Sequence, residues 1–187
     1  AAKALAELAN PATLDALIGA CGDEFWSVRT RAGWGVAKIG GPKAIEALIV
    51  LFNDPIMEVR NEAVAAVVSL GAGQLDRLLA AMKDERWRVR EHAAKACGDL
   101  HDSGAVDALI FACRDRDGAV KSAAAEALGK IGDPKAIPAL VKLFRDSSKI
   151  VRETAGIALV AIGQPSVDLL LETLKDKKLV DHKEAAR

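Results

Sequence analysis

The sequence repeats itself with a period of 30 or 31 residues. Each of the five full periods contains an aspartate, a valine five residues later and a cation directly after the valine, and a sixth aspartate follows near the end of the chain. The aspartates are Asp23, Asp54, Asp84, Asp115, Asp146 and Asp176, the valines are Val28, Val59, Val89, Val120 and Val151, and the cations are Arg29, Arg60, Arg90, Lys121 and Arg152. A fixed period of about 20 to 50 residues is typical of stacked repeat arrays, in which each unit needs its neighbours to bury its apolar face.

Each period is predicted to be a hairpin of two amphipathic helices, as residues 115–144 show most clearly. The apolar residues of this stretch follow two helical patterns, which are Val120, Ala124, Ala127, Leu128 and Ile131, then Ile137, Leu140, Val141 and Phe144. Such spacing places each set on one face of a helix. Between the two sets, Gly132 suits the left-handed turn that ends a helix, and Pro134 suits the first turn of the next one.

The period reaches both ends of the chain, which predicts one all-α, right-handed α-solenoid over residues 1–187. We divide it into a partial repeat (1–9), five full repeats and an incomplete terminal repeat (164–187). The full repeats, called first to fifth below, cover 10–40, 41–71, 72–101, 102–132 and 133–163. Because solenoids normally end in atypical capping repeats, the cut repeats at both ends indicate either a fragment or the ordered part of a longer protein.

The repeat pattern D-x4-V-R-x2-A-x3-L-G-x-I-G-D-P-x-A-I-x-A-L resembles the short HEAT-like repeats named after the phycobilisome lyases. The resemblance covers the whole chain. It implies that the first helix of each hairpin lies on the outside and that the second helix, which carries the valine and the cation, lines the concave surface. Members of this family include bilin lyase subunits, scaffolds and artificial binding arrays, so the resemblance predicts a fold and leaves the function open.

The chain has no net charge, with 26 basic and 26 acidic residues. This balance argues against nucleic acid and anionic membranes as partners, because both attract clustered cations. No apolar run approaches the roughly 18 residues of a transmembrane helix, and the first residues lack the pattern of a signal peptide. We therefore expect a cytoplasmic protein that does not bind membranes.

The sequence contains no recognisable catalytic or metal-binding motif. Three cysteines stand in columns that are otherwise apolar, and we expect them to fill the core; they are Cys21, Cys97 and Cys113. Cys97 and His101 lie one helical turn apart but match no known zinc spacing. Relatives that bind two irons carry repeated His-Glu pairs, whereas Glu91-His92 has the reverse order and occurs once. We therefore predict a protein that is not an enzyme and holds no cofactor or metal.

The cation column is predicted to form a ladder with the turn aspartates. Arginine presents a planar fork that matches a carboxylate, whereas lysine acts as a point charge. We expect most of the arginines to contact a turn aspartate of their own or an adjacent repeat; they are Arg29, Arg60, Arg90 and Arg152. Such contacts would make these residues unavailable to ligands, and Arg60→Ala would cost about 1.5 to 3 kcal/mol of stability.

The variable residues of the second helices predict a binding surface on the first three repeats. At the position two residues before the valine, large apolar residues are confined to these repeats, and polar residues surround them; the candidate site is Trp26, Arg31, Trp34, Met57, Glu62, Trp87, Glu91, His92 and Lys95. Trp34 stands in a column whose other members are alanine, lysine, glutamate and isoleucine, so stacking is not expected to need it. Trp26 and Trp87 could instead be staples that pack back onto their own helices.

Two functions from different classes follow from these features. The first is a non-enzymatic scaffold that binds a protein, a peptide or a second copy of this chain on its concave face, because aromatic residues and arginine favour binding hot spots. The alternative, which the family resemblance implies, is a lyase subunit or another protein that handles a bilin or other small ligand. A more distant alternative is a DNA-binding solenoid, against which the zero net charge argues.

Overall fold

The computed structural model describes residues 10–167, which form helices and turns and contain no strand within that range. The α-helices with both ends in this range are α1 (Leu14–Ala20), α2 (Trp26–Ile39), α3 (Pro42–Leu51), α4 (Met57–Ser69), α5 (Leu75–Ala81), α6 (Trp87–Asp99), α7 (Val106–Ala112), α8 (Gly118–Ile131), α9 (Ile137–Leu143) and α10 (Lys149–Ile162). They form five successive hairpins. The predicted partial repeat (1–9) and residues 168–187 of the terminal repeat lie outside the described residues.

The turn aspartates fix the loop inside each hairpin. Each carboxylate accepts a hydrogen bond from the backbone amide two residues further on, at 2.8 to 2.9 Å; the aspartates are Asp23, Asp54, Asp84, Asp115 and Asp146. Short side chains also cap the 3-10 turns that open several first helices, because they satisfy amides that the helix leaves free. Asn10, Asp102 and Asp133 serve in this way.

The hairpins stack into an α-solenoid whose main packing contacts join the helices of one hairpin and those of adjacent repeats. The core is aliphatic and rich in alanine, and its repeating members are Leu17, Leu48, Leu78, Leu109 and Leu140 from the first helices and Ala32, Ala63, Ala93, Ala124 and Ala155 from the second. These side chains are at most 2% exposed. The predicted all-α solenoid is therefore confirmed.

Second helices of adjacent repeats pack against each other more extensively than first helices do. The contact is closest where glycine faces a backbone: a Cβ atom on Gly98 of α6 would lie 2.6 Å from the Cα atom of Ala127 in α8. Gly129 of α8 faces Ala158 of α10 in the same way, at 2.8 Å. This tighter packing supports the assignment of the second helices to the concave side of the stack.

The predicted core holds with one correction. Phe144 was predicted in a buried stripe, but its side chain is 41% exposed, whereas the equivalent Phe52 is fully buried. Phe144 follows the last residue of α9, and its ring lies beside Gly156 of α10, a residue that has no side chain to cover it. The cysteines are buried and free, and burial raises the pKa of Cys21 to about 11 and that of Cys97 to about 12. No helix within residues 10–167 is long and apolar enough to cross a bilayer.

Candidate functional site

The cation ladder joins neighbouring repeats through the turn aspartates. The guanidinium of Arg90 donates from Nε and Nη2 to the carboxylate of Asp115 in the next repeat, at 2.7 and 2.8 Å. Its Nη1 donates to the carbonyl oxygens of Asp84 and Glu85 in its own turn, both at 2.9 Å. Burial by itself would raise the pKa of Asp115, but the hydrogen bonds from Arg90 and a backbone amide outweigh this effect and lower it.

Two more rungs follow the same arrangement. Arg29 donates from Nε and Nη2 to Asp54, at 2.6 and 2.8 Å, and the ammonium of Lys121 bonds to Asp146. Arg152 contacts the carbonyl oxygen of Asp146 in its own turn at 2.7 Å, and its next turn lies beyond the described residues. The predicted ladder is confirmed, and it occupies these cations.

The rung between the second and third repeats lacks its carboxylate contact. Arg60 reaches the carbonyl oxygens of Asp54 and Pro55 at 2.7 and 3.1 Å, but the carboxylate of Asp84 is bound twice by Arg86 at 2.9 Å. The Nε atom of Arg60 is buried without a hydrogen-bond partner. The 1.5 to 3 kcal/mol predicted for Arg60→Ala rested on a carboxylate contact that this rung lacks, so we now expect a smaller effect.

Three large apolar side chains occupy the same position in three successive second helices. Trp26, Met57 and Trp87 are the first residues of α2, α4 and α6, and their side chains are 50%, 57% and 36% exposed. The guanidinium carbon of Arg88 lies 4.8 Å from the centre of the Trp87 ring, a cation–π distance. We call these three residues the apolar column. Their exposure fits a contact surface better than staples that are covered by their own helices.

Trp34 does not belong with the exposed residues. It packs partly buried against the core, and its indole Nε1 donates to Oε2 of Glu62 in the second repeat at 2.8 Å. This hydrogen bond joins the first repeat to the second, so the indole is engaged at the seam between them; that stacking does not need Trp34 stays a prediction. Arg31, by contrast, lies exposed on α2, as predicted from its position on the helix.

His92 was predicted at the rim of the site, but its side chain is 1% exposed. Its position on α6 faces the seam with the preceding repeat, where the ring lies 6.1 Å from that of Phe52. Its Nδ1 lies 2.8 Å from the carbonyl oxygen of Arg88. Because a carbonyl only accepts, Nδ1 carries the proton, and the buried Nε2 has no hydrogen-bond partner.

Below about pH 6.5, His92 is expected to destabilise the fold. Burial lowers its pKa, although the bond to Arg88 opposes this effect. An unfolded histidine gains its proton near pH 6.5, so the unfolded state binds more protons and stability falls as the pH drops from that value. The slope cannot exceed about 1.4 kcal/mol per pH unit for one proton. Urea unfolding at about pH 7.5 and 5.5 should show a smaller pH dependence for His92→Gln than for the unchanged chain. Equal pH dependence would contradict this assignment.

A shallow groove continues the site across the third to fifth repeats. Its volume is about 410 Å³, and its lining includes Glu91, Lys95, Ala119, Ser122, Glu126 and Thr154. Glu91 and Lys95 form an ion pair of 2.6 Å on its wall. The groove opens because Gly118 stands where the earlier repeats carry tryptophan or methionine, a change that is visible in the sequence but was not interpreted as a groove. Among residues 10–167, no group of His, Cys, Asp and Glu side chains is placed to hold a metal ion.

Comparisons with known proteins agree with this architecture. A family model described as HEAT repeats matches residues 1–68, 75–160 and 112–187. A comparison with curated protein sequences found no match. Among solved structures, the complex of CpcE and CpcF of phycocyanin lyase from Nostoc sp. PCC7120 is similar, with 26% identity and a TM-score of 0.57 over 87% of this chain and 70% of that chain.

Two further solved structures are similar in fold. A designed armadillo repeat protein in complex with the peptide (KR)4 has 23% identity and a TM-score of 0.52, over 87% of this chain and 90% of that chain. Human deoxyhypusine hydroxylase in complex with glycerol has 20% identity and a TM-score of 0.50, over 86% of this chain and 77% of that chain. At these identities, the likeness supports the helical-repeat fold alone.

Proposed function

Because this chain belongs to the HEAT-repeat family, we propose that it is a non-enzymatic scaffold that binds a protein or peptide on the face formed by its second helices. The observation that carries this proposal is the apolar column of Trp26, Met57 and Trp87. These three large side chains are exposed, although smaller residues would also allow the helices to pack in the three repeats that carry them. Exposed aromatic residues and methionine arranged together favour binding hot spots.

The spacing of the column suits an extended segment of the partner. Adjacent packed helices lie about 10 Å apart, and a chain in the extended polyproline II conformation advances about 3.1 Å per residue with three residues per turn. A bound segment of this conformation that runs across the repeats would therefore present every third side chain to the column. Beyond Trp87, the same path enters the groove beside Glu91 and Lys95, where small residues leave room for the segment to continue.

The rim of this face is polar and of mixed charge. Arg31 and Glu62 are exposed on the helices that begin with the first two members of the column, and the pair of Glu91 and Lys95 lies on the helix that begins with the third. A polar rim around an apolar centre is the usual anatomy of a protein interface. A second copy of this chain is one partner that would fit this description, since the face combines both signs of charge.

The alternative is a protein that handles a bilin or a similar flat ligand. It is favoured by the similarity to the complex of CpcE and CpcF of phycocyanin lyase at 26% identity. In that case, Trp26 and Trp87 would stack on the conjugated rings. Titration with biliverdin separates the two proposals, because a shifted absorption band that saturates at one ligand per chain would favour the alternative.

We also propose a cytoplasmic location. The three cysteines are free and buried, which suits a compartment where thiols remain reduced. Secretion of the native chain through an oxidising compartment, with the thiols forming bonds to other proteins, would contradict this location.

Peptide selection tests the scaffold proposal. A library of random peptides is selected on the immobilised protein, and the affinity of the enriched peptides is measured by fluorescence anisotropy. Replacing all three residues of the apolar column by alanine is expected to weaken binding by at least about tenfold, because hot-spot side chains each contribute more than about 1 kcal/mol. The stability of the variant should change little, since these side chains are exposed.

Val50→Ala is the matched control for this experiment. Val50 is also an exposed apolar side chain, 62% accessible, but it lies on the first helix α3. Its replacement should leave the affinity of the selected peptides unchanged. Peptides that lose affinity with Val50→Ala and not with the triple variant would contradict the proposed face.

A further inference from the structure

A second concave feature lies on the edge of the stack where the hairpin turns are found, between the third and fourth repeats. This cleft has a volume of about 740 Å³, within the usual range of ligand sites. Its apolar floor comes from two first helices, α5 and α7, and consists of Leu79, Met82, Ala108, Phe111 and Ala112. None of these residues belongs to the apolar column or to the groove of the second helices.

Phe111 distinguishes this cleft from the equivalent places in the other repeats. The stacking of the repeats does not require an aromatic side chain at this position. The equivalent positions in the other full repeats are Gly19, Val50, Ala80 and Lys142. Two of these are small and one is charged, so the repeat fold forms without a large side chain at this place. An aromatic ring that is 78% exposed above an apolar floor gains most of its burial by contact with a partner.

The rim of the cleft carries an excess of positive charge that the chain as a whole lacks. Lys83, Arg114 and Arg116 line the cleft, and within residues 10–167 none of them forms an ion pair. The carboxylates nearby are engaged elsewhere: Asp84 is bound by Arg86, and Asp115 by Arg90. Glu85 alone among the acidic residues lining the cleft remains unpaired.

The positions of the cations indicate an extended ligand. Lys83 and Arg114 hold the same position in adjacent repeats, so their backbones lie about 10 Å apart. One carboxylate cannot bridge that distance, whereas an extended segment with acidic residues on both sides of an apolar one can contact both cations. The arginine fork also favours a carboxylate through paired hydrogen bonds.

We propose that this cleft binds an acidic peptide segment with a bulky apolar residue at its centre. The apolar side chain packs onto Phe111 and Met82, and the flanking carboxylates contact Lys83, Arg114 and Arg116. This site is independent of the second-helix face, so the chain would hold two different segments at once. The solenoid would then join two partners, or two parts of one partner.

Anisotropy of a fluorescein-labelled EEFEE peptide with the full chain tests the site. We expect saturable binding to the unchanged protein, with a loss of at least about tenfold for Arg114→Glu and for Phe111→Ser. The peptides EESEE and KKFKK should bind at least about tenfold more weakly than EEFEE, since one lacks the apolar residue and the other carries the wrong charge. Circular dichroism should show that both variants remain folded, because both side chains are exposed.

Lys142→Glu provides the matched charge reversal. Lys142 stands in the position of Phe111 one repeat further on, exposed and outside the cleft. It should leave EEFEE binding unchanged. The site is overturned by a dissociation constant for the unchanged protein above about 1 mM, or by an equal loss with Lys142→Glu, which would indicate non-specific attraction. A loss with the triple variant of the apolar column would move the peptide to the second-helix face, so the two proposals fail separately.

Discussion

Arg90→Ala is expected to lower the free energy of unfolding by about 3 kcal/mol, as for the loss of one partner from a buried ion pair. The substitution leaves the carboxylate of Asp115 in place at 13% exposure with neither of its arginine hydrogen bonds. It also removes the donor to two carbonyl oxygens of the preceding turn. Both losses fall on the same seam between the third and fourth repeats, so a single substitution weakens the turn and the interface together.

Urea unfolding followed by circular dichroism measures this effect, and Arg60→Ala is the matched control. Arg60 holds the same position one repeat earlier, but it contacts carbonyl oxygens and no carboxylate. Its replacement is expected to cost about 1 kcal/mol, the value of ordinary hydrogen bonds. Equal losses for the two variants would show that the carboxylate contact does not stabilise the seam.

Gly98→Val is expected to destabilise the protein by about 3 kcal/mol, at the upper end for overpacked cores. Even a Cβ atom at this position would lie 2.6 Å from the Cα atom of Ala127, and backbone atoms cannot move aside as a flexible side chain can. Helices α6 and α8 must therefore separate. Because each repeat buries its surface against its neighbours, this separation exposes the seam over several residues.

The comparison is with Gly19→Val, which also replaces a glycine inside a helix. Apart from its chain neighbours and the backbone of its own helix, no atom lies within 4 Å of a Cβ placed on Gly19. We expect its stability to change by less than about 0.5 kcal/mol, since valine is a slightly better helix former than glycine. Thermal unfolding of the two variants is the measurement, and a Gly98→Val protein as stable as Gly19→Val would contradict the close packing of the second helices.

The fold could be predicted from the sequence because the residues that the hairpin needs, in its core and in its turn, recur in successive repeats. A leucine such as Leu109 is buried in the same way in each repeat, and an exception in one repeat does not obscure the column. The turn aspartates are equally regular, since each closes its own loop and most also accept a cation from the preceding repeat. Repetition thus supplies the information that an isolated helix would lack.

The departures from the repeat pattern depend on contacts between side chains that the pattern itself does not reveal. The carboxylate of Asp84 is bound by Arg86. The sequence does show this arginine two residues after the turn aspartate, at a position that carries phenylalanine, isoleucine, aspartate or serine in the other repeats. The burial of His92 and the bond from Trp34 to Glu62 depend on how far each side chain reaches across the seam. Helical periodicity gives the direction of a side chain from its own axis but not the position of the neighbouring helix.

The candidate site was predicted in part for the same reason. The exposed column could be found because its three residues share one position, at which the later repeats carry glycine and lysine. The cleft around Phe111 was not predicted, because it is built from two first helices and a pair of turns, whereas the predicted site lies on the second helices. The signal in the sequence is an aromatic residue at a position that holds glycine, valine, alanine or lysine in the other repeats.

Photocrosslinking tests the central claim most directly, namely that the partner lies on the second helices of the first three repeats. A selected peptide that carries benzoylphenylalanine in place of its central apolar residue is irradiated with the full chain, and the modified residues are identified by mass spectrometry. The account predicts adducts within α2, α4 and α6, at or next to Trp26, Met57 and Trp87, which excess unlabelled peptide abolishes. Adducts confined to the first helices α1, α3, α5, α7 and α9 would contradict it.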